Sequence, residues 1–361
     1  MKAGFSDILR DLDRERERKI AAKLPAWAGV SGLQIPSALA LEQCSSSATA
    51  RYKASLVSGT LADLTGGLGV DSAAFAARCT HVYYYERDAA LAEAARHNFA
   101  ALGLDNVDVR CEETRAESIR ALPACDWLYL DPARRDAGGR KVFRLSQCSP
   151  DVTALLPVLC EKAPRILLKL SPMADVTQLA RELGTSLREV HLVEWAGECK
   201  EVLCLLDMRW KGAYTVVVTD LQDSFRFLPA EETAAEVRYA AFGEIREAPY
   251  LFEPGPALMK SGAYRLLCGR FGLRKLDPMT QLYLADAPVP LGRCRRIEAV
   301  FPLKPFSAVA ARYPAADISV RNLPISAEQL RARLGVVPGG DIHLYGCTAA
   351  GSKCLIATRQ G

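Results

Sequence analysis

The sequence predicts an α/β protein built around a Rossmann-like, doubly wound sheet whose last strand is antiparallel. Short apolar runs of strand type alternate with helix-length segments between residues 58 and 210, a pattern typical of parallel strands joined by right-handed helical crossovers. A glycine-rich turn, DLTGGLGVDS, follows the first apolar run, at the edge where such sheets bind ligands. The last two runs are separated only by AGECK, and so short a link permits only a hairpin.

Helical segments are expected before the sheet. Residues 1–26 are predicted to form a charged helix that Pro25 ends, and residues 42–57 to form a second helix leading into the next domain. We therefore place an N-terminal helical segment at 1–57 and the sheet domain at 58–210.

Seven strands are expected in the sheet domain. The first crossover helix is predicted over Asp71–Arg78, and the second, DAALAEAARHNFAAL, has apolar residues at helical spacing with Gly103 as its C-terminal signal. The strands are predicted at LADL, HVYYYE, VDVRC, WLYLD, RILLKL, EVHLVEW and EVLCLLD.

The pattern becomes α+β from residue 211. YTVVVTD is a predicted strand, and FEPGPALMKSGAYRLLCGRFGL is predicted to be a single helix with proline near its start and glycine near its end. Ser326 and Gln329 form a capping box for a helix that Gly335 closes. DIHLYGC and KCLIATR are expected to form a hairpin. We place a linking segment at 211–290 and a last domain at 291–361.

The composition excludes several classes of protein. Hydrophobic residues make up 50% of the chain and charged residues 24%, as in soluble globular domains. The sequence contains no run of eighteen apolar residues, so a transmembrane helix is not expected. Charged residues occupy the N-terminus, where a signal peptide needs an apolar core. The 12 cysteines include no C-x-x-C, and the four histidines lack zinc-ligand spacing. We therefore expect a cytoplasmic protein with reduced cysteines and without metal or membrane partners.

The glycine turn and two acidic residues indicate the kind of ligand. Gly67-x-Gly69-x-x-Ser72 lacks the third glycine of a dinucleotide fingerprint, which weighs against a nicotinamide oxidoreductase. Asp63 precedes the glycines, where a carboxylate suits a cationic ligand better than a pyrophosphate. Glu86 ends the second strand, where a carboxylate can accept hydrogen bonds from both ribose hydroxyls.

An acid before the glycines, an acid after the second strand and a closing hairpin together resemble class I S-adenosylmethionine-dependent methyltransferases. The resemblance implies S-adenosylmethionine as cofactor, with the glycine turn around the methionine moiety and Glu86 at the ribose. Either Glu112 or Glu113 would flank the adenine, and the sequence leaves that choice open. The full predicted cofactor set is Asp63, Thr65, Gly66, Gly67, Gly69, Glu86, Arg87, Glu112, Glu113 and Asp131.

The Asp-Pro pair at the end of the fourth strand predicts the catalytic position. Asp131 should face the sulfonium, and Pro132 has no N–H, so it ends strand pairing and leaves carbonyls free to point into the cleft. This resembles the (Asp/Asn)-Pro-Pro-(Tyr/Phe) motif of amino-methyltransferases and the corresponding motif of ribosomal-RNA guanine-N2 methyltransferases. The motif's stacking aromatic is absent, and the guanidinium of Arg134 is the expected replacement.

Further polar residues follow strands at the same edge of the sheet and are predicted to bind substrate. The predicted catalytic residues are Asp131, Pro132 and Arg134. The predicted substrate-binding residues are Arg135, Lys169, Ser171, Trp195, Glu198, Lys200 and Arg321.

Over nearly its whole length the chain resembles a bacterial methyltransferase family with a C-terminal ferredoxin-like segment and a THUMP-like domain. The resemblance lies in EQCSSSATARYK, DPARR, LFEPGPALMKSGAYRLL and RNLPISAEQLRARLG. It implies an RNA partner, ribosomal or transfer, and residues 211–361 hold 19 basic and 14 acidic residues, an excess of +5. Candidate phosphate contacts are Arg293, Arg295, Arg296, Lys304, Arg321, Arg331 and Arg333.

The leading hypothesis is methylation of an RNA base nitrogen, with guanine N2 as the first target. One alternative is a methyltransferase of a small molecule or a protein, in which the C-terminal third serves as a lid or a dimerisation element. Another is an RNA-binding protein that retains the cofactor fold without activity.

Overall fold

The structure is a computed structural model that describes residues 14–15, 17–133 and 145–360. Arg134 and Arg135, both expected in the site, lie outside the described residues. The chain forms two compact units. The first comprises residues 1–195 and 200–214, and the second comprises residues 196–199 and 215–361.

The larger sheet is doubly wound, as predicted. Its strands are Gly59–Asp63 (β1), Cys79–Glu86 (β2), Val107–Cys111 (β3), Trp127–Leu130 (β4), Arg165–Leu170 (β5), Leu187–Trp195 (β6), Glu198–Asp207 (β7), Thr215–Thr219 (β8) and Ser224–Phe227 (β9). Strands β1 to β5 are parallel to one another, and β7 runs antiparallel to β5. The strand order is β3-β2-β1-β4-β5-β7-β6-β8-β9. The predicted count of seven is therefore not confirmed, because two later apolar runs also join as strands.

The helices of the first unit differ from the prediction near its start. Residues 17–23 are helical, as predicted for this part of the N-terminal segment. The single helix predicted over residues 42–57 is wrong, because Ser46 begins a new helix by accepting a 3.2 Å hydrogen bond from the Thr49 amide. The helices are Ala38–Gln43 (α1), Ser47–Ser55 (α2), Val70–Ala76 (α3), Ala89–Ala101 (α4), Ala116–Ala121 (α5), Val152–Lys162 (α6) and Val176–Leu183 (α7).

The N-terminal segment packs against the glycine turn. Leu24, Trp27 and Leu41 form one buried cluster with Leu68 and Val70, which lie on either side of Gly69. Burial of several large apolar side chains favours docking by roughly 1.5–3 kcal/mol per side chain. Residues before the sheet are thus part of the core that supports the turn.

The second unit is built on a mixed seven-stranded sheet. Its strands are Tyr250–Pro254 (β10), Arg274–Asp277 (β11), Thr280–Ala285 (β12), Gly292–Pro302 (β13), Asp317–Arg321 (β14), Ile342–Ala349 (β15) and Ser352–Gln360 (β16). They lie in the order β11-β12-β10-β13-β16-β15-β14. Only β14 and β15 pair in parallel among the described pairs. The helices are Pro229–Ala234 (α8), Glu244–Glu247 (α9), Pro256–Ser261 (α10), Leu266–Phe271 (α11), Ser307–Arg312 (α12) and Ala327–Leu334 (α13).

One predicted helix of the second unit is wrong, and two other predictions are confirmed. The run from Phe252 onward starts in β10 and continues as two short helices, because Gly262 takes φ +73° and ends the first of them. The capping box is present, with reciprocal bonds of 3.1 and 3.0 Å between Ser326 and Gln329. The hairpin of β15 and β16 also forms as predicted.

All 12 cysteines are free thiols. Within the described residues no group of three or more His, Cys, Asp or Glu side chains is arranged to hold a metal ion. In the same part of the chain, no helix has both the length and the apolar character needed to span a bilayer.

Candidate functional site

A cavity of about 770 Å³ lies at the carboxyl ends of the parallel strands of the first unit. This volume falls within the range of roughly 300–1,000 Å³ that is usual for small-ligand pockets. The strand ends and the turns after them supply most of the wall, as the doubly wound topology requires. The predicted residues that line it are Asp63, Thr65, Gly66, Gly67, Gly69, Glu86, Arg87, Glu112, Glu113, Asp131, Pro132, Lys169 and Ser171.

Two of the turn glycines are required by close packing. A Cβ atom on Gly66 would lie 2.1 Å from the Tyr84 ring, and one on Gly69 would lie 2.7 Å from the Phe99 ring. Tyr84 also donates a 2.5 Å hydrogen bond to the Gly67 carbonyl. The turn is therefore pulled down onto β2 and α4, which leaves space above it for a ligand.

Asp63 is buried at the end of β1 and shapes the turn from within. Its carboxylate accepts hydrogen bonds from the Thr65 amide at 3.0 Å and from the Ser72 hydroxyl at 2.5 Å. Burial raises the pKa of Asp63 to about 7, although these two hydrogen bonds act in the opposite direction. The Asp63 carboxyl therefore titrates close to neutral pH.

Glu86 joins the second strand to the glycine turn. Its two oxygens accept hydrogen bonds from the Gly67 amide at 2.8 Å and from the Asp88 amide at 2.9 Å. A carboxylate oxygen has two lone-pair sites, so each oxygen of Glu86 can accept one further bond. Glu86 is thus pre-oriented to accept hydrogen bonds from a diol in the cavity.

The two acids after β3 have different surroundings. Glu113 forms ion pairs with Arg87, at 3.7 Å, and with Arg115. Glu112 makes no ion pair within the described part of the chain, and it lines the same wall. Of the two carboxylates, Glu112 is therefore the one whose oxygens are not held by a cation.

Asp131 is fixed at the edge of the cavity by two contacts. Its backbone amide donates to the Thr65 hydroxyl at 2.6 Å, which ties the Asp-Pro loop to the glycine turn. One oxygen of its carboxylate, Oδ2, accepts a 2.5 Å hydrogen bond from Lys169 Nζ on the adjacent strand β5. The sequence placed both residues at this edge but gave no sign that they form an ion pair.

A network of buried charged groups lies beneath this ion pair. Lys53 is fully buried and donates to both oxygens of Glu201 at 2.8 Å, while its distance to Asp71 is 3.3 Å. Ser45 accepts from Lys53 at 3.1 Å and donates to Asp71 at 2.9 Å, and Tyr129 donates to Asp71 at 2.7 Å. Five elements or loops of the first unit are thereby connected through polar contacts.

This network acts on Lys169. Burial disfavours the charged form of Lys169, but the negative charges of Asp131, Asp71 and Glu201 outweigh it and hold the pKa of Lys169 above its ordinary value. Lys169 is therefore a cation throughout the physiological range.

Some wall residues were not predicted, and some predicted residues do not line the cavity. Four predicted substrate residues do not line the cavity: Trp195, Glu198, Lys200 and Arg321. The guanidinium of Arg321 donates instead to Glu253. Sequence analysis missed the contribution of the N-terminal segment, although EQCSS within the family motif was a signal for it. The unpredicted wall residues of that segment are Ala40, Glu42, Gln43, Cys44 and Ser45.

Comparisons with known proteins agree with this geometry. Residues 250–290 match the model of a ferredoxin-like domain, and residues 292–360 match that of a THUMP domain-like family. A solved structure from Porphyromonas gingivalis W83, described as a candidate methyltransferase, is 32% identical and has a TM-score of 0.85. The match covers 97% of this chain and 89% of that one. The chain belongs to this methyltransferase family.

Two curated members of the methyltransferase family, from two strains of Mycobacterium tuberculosis, are 25% identical over 300 residues. The match covers 82% of this chain and 79% of each relative, and both are named uncharacterised S-adenosylmethionine-dependent methyltransferases. S-adenosylmethionine is the cofactor. The acidic lining of the cavity fits a ligand that carries a sulfonium and an ammonium group.

Proposed function

We propose that this methyltransferase transfers the methyl group of S-adenosylmethionine to a base nitrogen of ribosomal or transfer RNA, with guanine N2 as the first target. The observation that carries the proposal is the fixed carboxylate of Asp131 at the edge of the cofactor cavity, directly followed by Pro132. The THUMP-like match over residues 292–360 supports RNA as the partner.

The cofactor would be held by side chains whose surroundings suit its parts. Glu86 would accept hydrogen bonds from the ribose hydroxyls, and Glu112 is preferred over Glu113 at the adenine because no cation of the described residues pairs with it. Bound S-adenosylmethionine supplies an electrophilic methyl group on a positively charged sulfur. Around its methionine moiety we place Asp63, Thr65, Gly66, Gly67 and Gly69, with Arg87 at the rim.

Asp131 would act by positioning the acceptor. Its oxygen Oδ1, which is not bonded to Lys169, can accept an N–H hydrogen from an amine and turn the nitrogen lone pair toward the methyl group. The amine nitrogen would bond to the methyl carbon as the carbon–sulfur bond breaks, so the sulfonium would leave as the neutral thioether of S-adenosylhomocysteine and the nitrogen would release one proton to solvent. Because the donor is already activated, orientation and electrostatics supply most of the catalysis.

RNA would bind through arginines and lysines of the second unit that the protein does not itself neutralise. Arg321 is bound to Glu253, and Arg331 donates to the Ala316 carbonyl, so we assign them structural roles. The remaining candidates form no ion pair in the described portion of the chain: Arg293, Arg295, Arg296, Lys304 and Arg333. Ser171, Trp195, Glu198 and Lys200 remain predicted substrate contacts, as do Arg134 and Arg135.

Nucleoside analysis tests the proposal directly. Ribosomal and transfer RNA from a strain lacking the gene should contain one methylated nucleoside less than the wild-type RNA, and the purified enzyme should restore it. RNA that is identical in the two strains would contradict RNA as the substrate. Calorimetry with S-adenosylhomocysteine tests the cofactor site separately.

A further inference from the structure

Lys169 lines the cavity, and the described residues engage only one of its hydrogen-bond donors. Its ammonium has three N–H groups, and one of them donates to Asp131 Oδ2. No second hydrogen bond of Lys169 occurs within the described residues, and its side chain is 13% exposed and lines the cavity wall. Up to two N–H groups of Lys169 therefore remain for a ligand in the cavity.

Asp131 presents the complementary group beside these donors. Its oxygen Oδ1 accepts no hydrogen bond from the described residues, and the side chain is 35% exposed to the cavity. The 2.5 Å bond joins the two side chains, so a hydrogen-bond acceptor and a donor lie side by side. A planar group that has an N–H next to a lone pair is the complement of such an arrangement.

The ammonium group of Lys169 is held in place by buried carboxylates of the first unit. Asp71 and Glu201 attract its ammonium, and both carboxylates are themselves held by the buried Lys53. Lys169 is therefore held by several negative charges instead of swinging freely on its long side chain.

We propose that Lys169 and Asp131 together recognise the acceptor of the methyl group through hydrogen bonds. Asp131 Oδ1 accepts the N–H of the target nitrogen, and Lys169 donates to the ring nitrogen or carbonyl oxygen next to it. This inference rests on the proposed function and narrows it to neutral, planar acceptors with a donor next to an acceptor, as on a nucleobase edge. A protonated alkyl amine offers donors only, and the ammonium of Lys169 repels it.

Substitutions of Lys169 test whether its side chain acts as a hydrogen-bond donor, as a positive charge or as a packing element. We expect Lys169→Met to lower methyl transfer to RNA about 100-fold, the usual effect of removing one positioned donor. Its affinity for S-adenosylhomocysteine should stay within about threefold of wild type, because the cofactor groups are intact. Lys169→Gln keeps N–H donors without the charge and should retain clearly more activity than Lys169→Met.

The control is Lys162→Met, which removes a half-buried lysine that is absent from the cavity wall and donates to the Arg120 carbonyl. It should leave both activity and binding unchanged. Melting temperatures of all variants show whether they fold. Equal activity of wild type and Lys169→Met, or equal losses in Lys169→Met and Lys169→Gln with both proteins folded, would overturn the inference.

The methylated group distinguishes failure of this inference from failure of the proposed function. The enzyme is incubated with tritiated S-adenosylmethionine and, separately, the RNA and protein fractions of a strain lacking the gene. Label on a base nitrogen that adjoins a lone pair supports both ideas. Label on a ribose hydroxyl or a base carbon overturns the role of Lys169 and the base-nitrogen target and leaves RNA as the substrate, whereas label on such a base nitrogen with full activity of Lys169→Met overturns the role of Lys169 alone. Label on a protein carboxamide overturns the RNA substrate alone. Label on a lysine side chain, or in neither fraction, overturns both.

Discussion

The two units each contain a carboxylate held by a cation, and the two clusters differ in how far their polar groups find partners within the protein. In the second unit, Glu253 accepts from the Arg321 guanidinium and, at 3.0 Å, from the Tyr345 hydroxyl, so both of its oxygens have protein partners. In the first unit, the described residues supply a partner for one oxygen of Asp131, and they use one of the three donors of Lys169.

This difference teaches that an ion pair by itself does not indicate a functional site. The Glu253 cluster satisfies its own groups and therefore stabilises a fold. In the cluster around Asp131, the buried groups Lys53, Glu201 and Asp71 contact one another. Asp131 Oδ1 and two N–H groups of Lys169 have no hydrogen-bond partner among the described residues, so these groups can bind a ligand.

Removal of Lys53 should have the largest effect. Lys53→Met would leave Glu201 and Asp71 buried without their cation, and we expect a loss of about 3–5 kcal/mol in the free energy of unfolding, measured by urea denaturation. The matched change in the second unit, Arg321→Met, removes a guanidinium that is 41% exposed and should cost about 1 kcal/mol or less. Losses of similar size would refute the distinction between the two clusters.

A smaller effect is expected from filling the space under the glycine turn. Gly66→Ala would drive a methyl group into the Tyr84 ring, which packs edge-on against Phe99, at a cost of about 1–3 kcal/mol. Because the turn must shift, affinity for S-adenosylhomocysteine should fall by about tenfold or more, as calorimetry can measure. Gly103→Ala places a side chain at a position with no atom within 4 Å, at a positive φ that Gly66 does not have, and should leave that affinity intact.

The pH dependence of Asp63 should give a change of about tenfold. With its pKa raised to about 7 in the folded protein and about 3.9 when unfolded, Asp63 lowers stability progressively from pH 4 to pH 7 and no further above that. An ammonium ligand favours the carboxylate, so S-adenosylhomocysteine should bind about tenfold more tightly at pH 8 than at pH 6. Asp63→Asn should abolish both trends, and a wild-type affinity that is the same at both pH values would contradict the assignment.

The smallest effect concerns RNA binding by the second unit. Replacing Arg293 and Arg295 by alanine should weaken filter binding of transfer RNA several-fold and lower the salt dependence by about one unit per lost phosphate contact. Arg321→Ala should leave the salt dependence unchanged, because Glu253 already neutralises its guanidinium. A change in slope for Arg321→Ala alone would reverse these assignments.

Much of the first unit could be predicted because its signals are local. Alternating apolar runs gave the strands, and the short AGECK link gave the antiparallel closing hairpin. Asp63, Glu86 and Asp131 could be placed in one cavity because the carboxyl ends of parallel strands meet at one edge.

The contacts that complete the site could not be predicted, because they join distant residues. Lys169 and Asp131 are 38 positions apart, and Lys53 and Glu201 are 148 apart. A lysine on a short helix normally faces solvent, and nothing around Lys53 in the sequence shows that two carboxylates will surround it. The break before α2 was missed for a different reason: its signal is local, but three successive serines gave several candidate cap positions.

The separation of 148 positions between Lys53 and Glu201 also sets the order in which the domain can be completed during synthesis. At roughly 5–20 residues per second, a ribosome needs about 7–30 seconds to reach Glu201 after making Lys53. During that interval Lys53 lacks its main counter-ion, so burial of α2 would carry the desolvation cost of an ammonium without that partner. The N-terminal segment, though made first, should therefore be among the last parts of the first unit to dock.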